Sequence, residues 1–148
     1  MSKIQIINAS NSLKYLDALY ELDKDIFNTF WANNQWENEL KNESVITFLA
    51  VKENKNIGFA SAGICANEIE IRKIGILENY RRQKVASFIL RKILDMAKAH
   101  GILKVFLEVN ENNKSAILFY KNKGFITYNI RRGYYEKNEN AVCMQKII

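Results

Sequence analysis

The second half of the chain alternates between apolar strand patterns and amphipathic helix patterns. Residues 68–77 predict a strand, residues 84–100 predict a helix with apolar side chains at helical spacing, and residues 103–109 predict another strand. Two strands joined through a helix run parallel when they are neighbours in one sheet. Residues 113–123 predict a second helix of this kind, which Gly124 ends. This order of elements predicts an α/β fold.

The rest of the sequence predicts antiparallel hairpins and two more helices. Residues 45–51 and 57–66 are apolar segments joined by a polar turn, which is typical of a hairpin. The remaining predicted elements are strands at residues 3–7, 125–135 and 141–148, a helix at residues 13–26, and a loop with a short helix at residues 28–43. We therefore expect one mixed, mostly antiparallel central sheet of about seven strands with helices on both faces, in a single domain over residues 1–148.

Length and composition exclude several other classes of protein. A chain of 148 residues forms one domain that buries enough surface to fold without disulfides or metals. With 48% apolar and 26% charged residues, it has the composition of neither a disordered chain nor a coiled coil. No apolar run reaches the roughly 18 residues of a membrane helix. The N-terminus lacks the apolar core of a signal peptide, so we expect a cytoplasmic protein.

Cysteine and histidine are scarce. Cys65 and Cys143 have no spacing typical of a metal site, and each lies in an apolar stretch, so we expect two buried thiols and no metal. His100, the only histidine, precedes Gly101 at the end of the long helix, where a basic side chain caps the last turn. Enzymes that depend on a Ser-His-Asp or Cys-His pair are therefore disfavoured.

The positive charge of the chain is concentrated in residues 72–92. This segment contains seven basic residues and one acid, whereas the rest of the chain carries 15 basic and 15 acidic residues. The segment therefore accounts for the whole formal net charge of +6. A local excess of this kind predicts an anionic partner, such as a phosphorylated cofactor or a nucleic acid. A solvated helix face is the alternative interpretation.

The junction at residues 77–86, where the strand leads into the long helix, is the best candidate for an anion site. A helix start exposes backbone N–H groups without helical partners and carries a partial positive charge, and both features bind phosphate. Arg81, Arg82 and Lys84 add cations where helices usually carry acids, and a bound anion would remove this conflict. Gly75, inside the preceding strand, predicts a bulge or a close approach of the backbone to another group.

This junction resembles the acetyl-CoA-binding motif of the Gcn5-related N-acetyltransferase (GNAT) superfamily, which is Arg/Gln-x-x-Gly-x-Gly/Ala. The sequence here is Arg81-Arg82-Gln83-Lys84-Val85-Ala86. The first and last positions match, but Lys84 replaces the first glycine of the family. Three consequences are open: the lysine side chain turns outward, its ammonium joins the phosphate site, or cofactor binding is weakened.

Within this superfamily, the chain resembles the RimI-type N-terminal acetyltransferases over most of its length. Leu107-Glu108-Val109 resembles their Leu-Glu-Val strand, and residues 113–125 resemble their Asn-x-x-Ala-x-x-x-Tyr-x-x-x-Gly-Phe helix. Residues 131–135, RRGYY, resemble their Arg-Arg-x-Tyr-Tyr strand. Trp31 and the later pair Glu39-Leu40 fit the Trp and Glu-Leu of their substrate-side helix.

The resemblance implies an enzyme that transfers acetyl from acetyl-CoA to a protein N-terminus, such as that of a ribosomal protein, in a ternary complex. Membranes and specific nucleic acids are not implied partners. Glu108 would take the proton of the amine, whose pKa is about 8, and Tyr120 would protonate the leaving thiolate. The implied cofactor contacts are Ile74, Gly75, Ile76, Arg81, Arg82, Gln83, Lys84, Val85, Ala86, Ser87 and Asn113. The implied acceptor contacts are Trp31, Tyr134 and Tyr135.

Other interpretations of the same residues stay open. From pattern alone, Glu108 is an exposed strand carboxylate paired with a lysine, Tyr120 is a core aromatic, and Asn113 is a helix cap. The same fold could acetylate a small amine or a lysine side chain. A non-enzymatic nucleic-acid-binding domain could use residues 72–92, although single-strand binders interleave aromatic rings with their charges and this segment does not.

Overall fold

The computed structural model describes residues 3–148, and within that range the chain forms one seven-stranded sheet in the order β1-β2-β3-β4-β5-β7-β6. The strands are β1 (Ile4–Asn8), β2 (Val45–Lys52), β3 (Lys55–Cys65), β4 (Glu68–Ile76), β5 (Lys104–Asn110), β6 (Ile126–Arg131) and β7 (Ala141–Ile147). The α-helices are α1 (Leu16–Ile26), α2 (Asn33–Lys41), α3 (Val85–Ala99) and α4 (Lys114–Asn122). The predicted mixed sheet with helices on both faces is confirmed.

The strands run in the predicted directions, but the predicted pattern does not by itself specify the order of the strands in the sheet. β4 and β5 are the one parallel pair of neighbours in the sheet of residues 3–148, and the helix α3 connects them. β6 also runs parallel to β5, but β7 lies between them and pairs antiparallel with both. A strand–helix–strand pattern therefore specifies direction without specifying which strands are neighbours.

Two details differ from the sequence predictions. The strand predicted at residues 125–135 ends at Arg131, because Gly133 adopts a φ of 61° and turns the chain. Tyr134 and Tyr135 therefore lie in the loop between β6 and β7. Cys143 is buried as expected, whereas Cys65 is exposed because it is the last residue of β3 before a tight turn.

Hydrophobic clusters cover both faces of the sheet, but they do so unequally. One cluster packs α3 against strands from both halves of the sheet. The other packs α1 and α2 against the opposite face and contains no residue of β5, β6 or β7. We call this uncovered part, the β5–β7–β6 half of the α1/α2 side together with residues 68–71 of β4, the open face.

β4 and β5 pair over only part of their length. Residues 68–71 pair with residues 104–107, after which β4 continues to Ile76 and β5 to Asn110 without pairing each other. The edge of β4 that faces β5 therefore has no strand partner over its last five residues. The two strands thus enclose a gap at their C-terminal ends.

A β-bulge at Arg72 marks the start of this gap. β3 pairs Ser61 with Lys73 and Ala62 with Ile71, so Arg72 is an extra residue in β4. The extra residue reverses the alternation of side chains, because Ile71 and Ile74 both pack on the α3 side while Lys73 points towards α1. The bulge therefore turns a lysine towards the helix that borders the gap.

A buried ion pair fixes α1 to β4 at this position. Asp23 is completely buried, and its Oδ1 lies 2.6 Å from Nζ of Lys73. Its Oδ2 accepts hydrogen bonds from the Trp31 backbone N–H at 2.9 Å and from Trp36 Nε1 at 3.0 Å. The ammonium of Lys73 also lies 4.6 Å from the ring centre of Phe27. Both carboxylate oxygens are thus satisfied, which makes burial of the charge tolerable.

We expect Lys73→Met to lower the free energy of unfolding by about 3–5 kcal/mol, because it leaves the Asp23 carboxylate buried without its cation. The matched control is Lys41→Met, which removes an exposed ion pair to Glu37 and should cost about 0.5 kcal/mol or less. Urea unfolding followed by tryptophan fluorescence measures both. Equal effects of the two substitutions would contradict this account of the ion pair.

Candidate active site

The gap between β4 and β5 opens into a cavity of about 590 Å³. Its wall combines the end of β4, the turn into α3, the first turn of α3 and one side of α4. The residues of this wall that the sequence singled out are Ile74, Gly75, Ile76, Arg81, Arg82, Lys84, Val85, Ala86, Ser87, Asn113 and Tyr120. Residues from three separate segments of the sequence are thus brought together around one space.

Gly75 allows a close approach rather than a bulge. A Cβ atom on Gly75 would lie 2.6 Å from a ring carbon of Phe27, so only glycine lets this ring pack against the strand. Phe27 itself lines the cavity, although the sequence had not singled it out. No motif marks it, because its position depends on how α1 packs on β4.

The start of α3 presents backbone N–H groups to the cavity. The first helical hydrogen bond runs from Phe88 N–H to the Lys84 carbonyl, so the N–H groups of residues 85–87 have no partner within the helix. The first turn contains no acidic side chain. Arg82 and Lys84 line the cavity at this point and add positive charge. The combination is suited to binding phosphate.

Lys84 and Arg82 both have left-handed backbone conformations, with φ of 64°. This conformation costs a residue with a side chain roughly 1–2 kcal/mol, whereas glycine adopts it freely. The glycine that Lys84 replaces in the family motif thus corresponds to a backbone requirement. Lysine meets that requirement here at an energetic cost.

Two of the basic or amide side chains in this turn are engaged elsewhere. Arg81 lines the cavity, but its Nε donates to the Ile76 carbonyl at 3.1 Å and holds the turn that follows β4. Gln83 lies outside the cavity wall. Its amide accepts a hydrogen bond from Lys52 Nζ at 3.0 Å and donates to the Asn79 carbonyl at 3.3 Å.

The α4 side of the cavity contributes a capped helix start and a buried phenol. Asn113 caps α4, because its Oδ1 accepts from the Ala116 backbone N–H at 3.2 Å. Tyr120 is buried, and its ring packs edge-on against Phe119 and Phe125. Burial raises the pKa of Tyr120 to about 12, so its hydroxyl stays protonated at neutral pH. Tyr120 is thus both a core aromatic and part of the cavity wall.

Glu108 lies on the other side of the sheet, at the gap. It is the first residue of β5 beyond the segment paired with β4. Its neighbours Leu107 and Val109 point into the α3-side core, so the Glu108 side chain points to the open face. Its Oε1 accepts a hydrogen bond from Nη1 of Arg131 at 2.8 Å. The predicted lysine partner is therefore an arginine, contributed by β6.

Arg131 and Tyr134 both interact with the Glu108 carboxylate. The guanidinium of Arg131 lies 4.2 Å from the ring centre of Tyr134. Hydrogen bonding to Glu108 raises the pKa of both Arg131 and Tyr134. The sequence motif RRGYY contained Arg131, but its spacing gave no sign that β6 lies within reach of β5. That proximity depends on β7 lying between them.

The expected acceptor contacts lie on two separate segments. Trp31 is partly buried between α1 and α2, and its ring packs against Trp36 at 4.8 Å. Tyr134 and Tyr135 pack edge-on in the β6–β7 loop, and burial raises the pKa of Tyr135 to about 12. The structure thus places Trp31 over β4 and the two tyrosines beside Glu108.

The cavity extends from α4 on the α3 side of the sheet to Ile26 and Phe27 on the α1 side, and its wall does not include Glu108. Tyr120 lines the cavity on the α3 and α4 side of the sheet, whereas Glu108 faces the opposite side. A ligand that fills the cavity could therefore meet a second ligand from the open face where β4 and β5 separate. Within residues 3–148, no cluster of His, Cys, Asp or Glu could hold a metal ion, and no helix is long and apolar enough to cross a membrane.

Comparison with known proteins gives consistent matches over most of the chain. Residues 15–125 match the acetyltransferase (GNAT) family. The chain is 30% identical over 132 residues to the ribosomal protein bS18-alanine N-acetyltransferase of Haemophilus influenzae, which covers 86% of this chain and 89% of that protein.

Solved structures match the fold over nearly the whole chain. The crystal structure of the ribosomal-protein-S18-alanine N-acetyltransferase from Escherichia coli has a TM-score of 0.89 at 24% identity, covering 100% of this chain and 94% of that one. Arabidopsis thaliana NAA60 in complex with acetyl-CoA has a TM-score of 0.89 at 18% identity, covering 99% of both chains.

We expect Lys84→Gly to raise the free energy of unfolding by about 1 kcal/mol, because glycine adopts the left-handed conformation without strain. Lys84→Ala keeps a Cβ atom and should not give this gain. The matched control is Lys92→Gly in the exposed middle of α3, which should lower the free energy by about 1 kcal/mol. Thermal and urea unfolding of the three variants check the signs, and a loss of stability in Lys84→Gly would contradict the assignment.

The raised pKa of Tyr120 predicts a defined alkaline behaviour. The folded protein holds the Tyr120 proton up to about pH 12, whereas an unfolded tyrosine loses its proton near 10.0, so stability should fall as pH rises above that value. Tyr120→Phe should remove this part of the decline. Ultraviolet titration should show no tyrosinate signal from Tyr120 below about pH 11. A tyrosinate signal below about pH 11 that is present in wild type and missing in Tyr120→Phe would be evidence against burial of Tyr120.

Proposed function

The chain belongs to the acetyltransferase (GNAT) family, and on that premise we propose that it transfers an acetyl group from acetyl-CoA to the N-terminal amine of a protein. The observation that carries this proposal is the gap between β4 and β5, which opens into a basic cavity and has the Glu108 carboxylate at its edge. The N-terminal acetyltransferase activities of its relatives favour a protein N-terminus over a small amine.

The cavity fits the chemistry of acetyl-CoA. The N–H groups at the start of α3, together with Arg82 and Lys84, can bind the diphosphate. The edge of β4 at residues 74–76 has no strand partner on the side facing β5, so its peptide groups, apart from the Ile76 carbonyl that Arg81 engages, can pair with the amides of the pantetheine arm. In this proposal, Ile74, Gly75, Ile76, Val85, Ala86, Ser87 and Asn113 also contact the cofactor, and Arg81 contributes through the turn that it holds.

The side chains at the gap can carry out the proton transfers of amide formation. Bound acetyl-CoA supplies an acetyl group activated as a thioester. Glu108 accepts a proton from the acceptor ammonium, directly or through a water molecule, because only the neutral amine is a nucleophile. Tyr120, which is protonated across the neutral range, donates its proton to the departing sulfur and regains one from the nitrogen, which loses a second proton when it becomes an amide. A backbone N–H of β4 in the gap can stabilise the oxyanion.

The acceptor enters from the face that carries Glu108. Trp31 borders this entrance from the α1–α2 side, and Tyr134 and Tyr135 border it from the β6–β7 loop. Ribosomal protein bS18 is the acceptor in the names of several relatives, and we propose an acceptor of that kind, acetylated in the cytoplasm.

An acceptor panel tests the proposal. It contains peptides with a free N-terminus, the same peptides with a blocked N-terminus and one lysine, and small polyamines, each with acetyl-CoA. We expect mass spectrometry to find acetylation at the free N-terminus. Products from lysine or polyamines alone would support the alternative acceptors, and no product from any free peptide would refute the N-terminal assignment.

We expect Glu108→Gln and Tyr120→Phe each to lower kcat by about 100-fold or more, because each removes one proton-transfer group. Glu108→Gln should leave the affinity for acetyl-CoA unchanged, since the carboxylate lies outside the cavity wall. Release of free thiol measures the rate, and Glu21→Gln on the exposed side of α1 serves as the control. Near-normal rates in both variants would refute the assigned roles.

A further inference from the structure

The open face extends from Glu108 down the paired part of β4 and β5, and no cluster of apolar side chains from a helix covers it within residues 3–148. We propose that this face binds the acceptor chain beyond its first residues and favours acceptors with basic side chains there. The inference rests on the proposed function, because it assumes that the acceptor N-terminus reaches Glu108.

Register places a defined set of side chains on the open face. On β5, Phe106 lies on the same face as Glu108, while the intervening Leu107 is in the α3-side core. On β4, Glu70 pairs with Phe106 across the parallel strands, and Glu68 pairs with Lys104. Tyr128 of β6 adds an aromatic ring that is 46% exposed. The face is thus a mixture of rings and carboxylates continuous with the catalytic carboxylate.

The carboxylates of this face are only partly neutralised. Lys104 pairs with Glu68 at 3.2 Å and Arg131 pairs with Glu108 at 2.8 Å. For Glu70, the nearest cationic nitrogen is Nε of Arg72 at 4.0 Å, and this arginine is already bonded to the buried Glu39. Glu70 is therefore the least neutralised of the three carboxylates.

The electrostatic environment of Tyr128 supports this picture. Burial raises the pKa of Tyr128, and its interaction with Cys143 and then with Glu108, Glu70 and Glu68 raises it further. Three carboxylates therefore act on one ring of the edge strand β6. They lie on a molecule whose formal net charge is +6, and each has a basic residue within 4.0 Å.

The aromatic rings already hold a cation. The ammonium of Lys104 lies 5.3 Å from the ring centre of Phe106 and 6.0 Å from that of Tyr128. A lysine or arginine of a bound chain would meet the same combination of π-faces and carboxylates. Charge and ring chemistry thus favour the same class of side chain.

The length of the face indicates which acceptor residues it contacts. From Glu108 to Lys104 the strand rises by four residues, or about 13 Å at 3.3 Å per residue. An extended acceptor chain has the same rise, so the face spans about four acceptor residues. With the amine at Glu108, we expect contacts with approximately the third to the sixth residue of the acceptor.

The test compares three acceptor peptides that share their first three residues. One is a tripeptide amide, one is an octapeptide with lysine at positions 4 and 6, and one is the same octapeptide with serine at those positions. We expect the wild-type kcat/KM to be about fivefold higher for the lysine octapeptide than for the other two, through KM. Salt at 0.5 M should reduce the difference, since exposed charges are screened.

The double variant Glu68→Gln, Glu70→Gln should reduce this fivefold advantage to nearly one. Glu21→Gln, together with Asp17→Asn, removes two carboxylates from α1 and should leave the advantage unchanged. An advantage that persists in the double variant overturns the inference, as does the absence of any advantage in wild type. An equal loss of kcat/KM for all three peptides in the double variant also overturns the inference, because the carboxylates would then act on the first residues of the acceptor.

A binding measurement separates this inference from the proposed function. Fluorescence anisotropy with the lysine octapeptide, labelled and blocked at its N-terminus, should show weak binding to wild type and less to the double variant. Binding without acetylation of any free peptide would refute the proposed function and support the surface. No binding refutes the surface even if acetylation proceeds. A dimer in sedimentation experiments that Tyr128→Glu dissociates would assign the face to a second copy of the chain instead.

Discussion

β4 and β5 stop pairing after Ile71 and Leu107, and the rest of the site depends on this separation. Neighbouring strands in a sheet normally hydrogen-bond to each other through their backbone N–H and C=O groups. Where two strands diverge, those groups need other hydrogen-bond partners. The Arg72 bulge turns Lys73 towards α1, where it forms a buried ion pair with Asp23. This pair joins β4 to α1 just beyond the segment that pairs with β5. The polar edge that results is available to a ligand.

The separation also divides the chemistry between two faces of one sheet. The start of α3 and Tyr120 lie on one side, and Glu108 lies on the other with Arg131. Donor and acceptor can then approach from opposite directions and meet in the gap. Charge follows the same division, because the cations cluster at the start of α3 while carboxylates cluster on the open face. In the function that we propose, an anionic cofactor and a basic acceptor are each matched to their own side.

Much of this could be predicted from the sequence, because side-chain periodicity reports which face a residue occupies. The alternation along β5 correctly placed Glu108 opposite the core, and the charge of residues 72–92 pointed to the start of α3. Arg131 as the partner of Glu108 could not be predicted, since it depends on β7 lying between β5 and β6. The same is true of Phe27, whose place in the wall depends on helix packing. The left-handed backbone conformation of Lys84 could not be predicted either, because in a sequence only a glycine indicates a position with positive φ.

The central claim is that the gap between β4 and β5 and the start of α3 together form a binding site for acetyl-CoA. Calorimetric titration of the protein with acetyl-CoA tests it most directly, with S-acetylpantetheine, which lacks the phosphates of the nucleotide, as the comparison ligand. We expect saturable binding of one acetyl-CoA per chain, and binding of S-acetylpantetheine weaker by about a hundredfold because the contacts at α3 are lost. No binding of acetyl-CoA at millimolar concentration, or equal affinity for the two ligands, would contradict it.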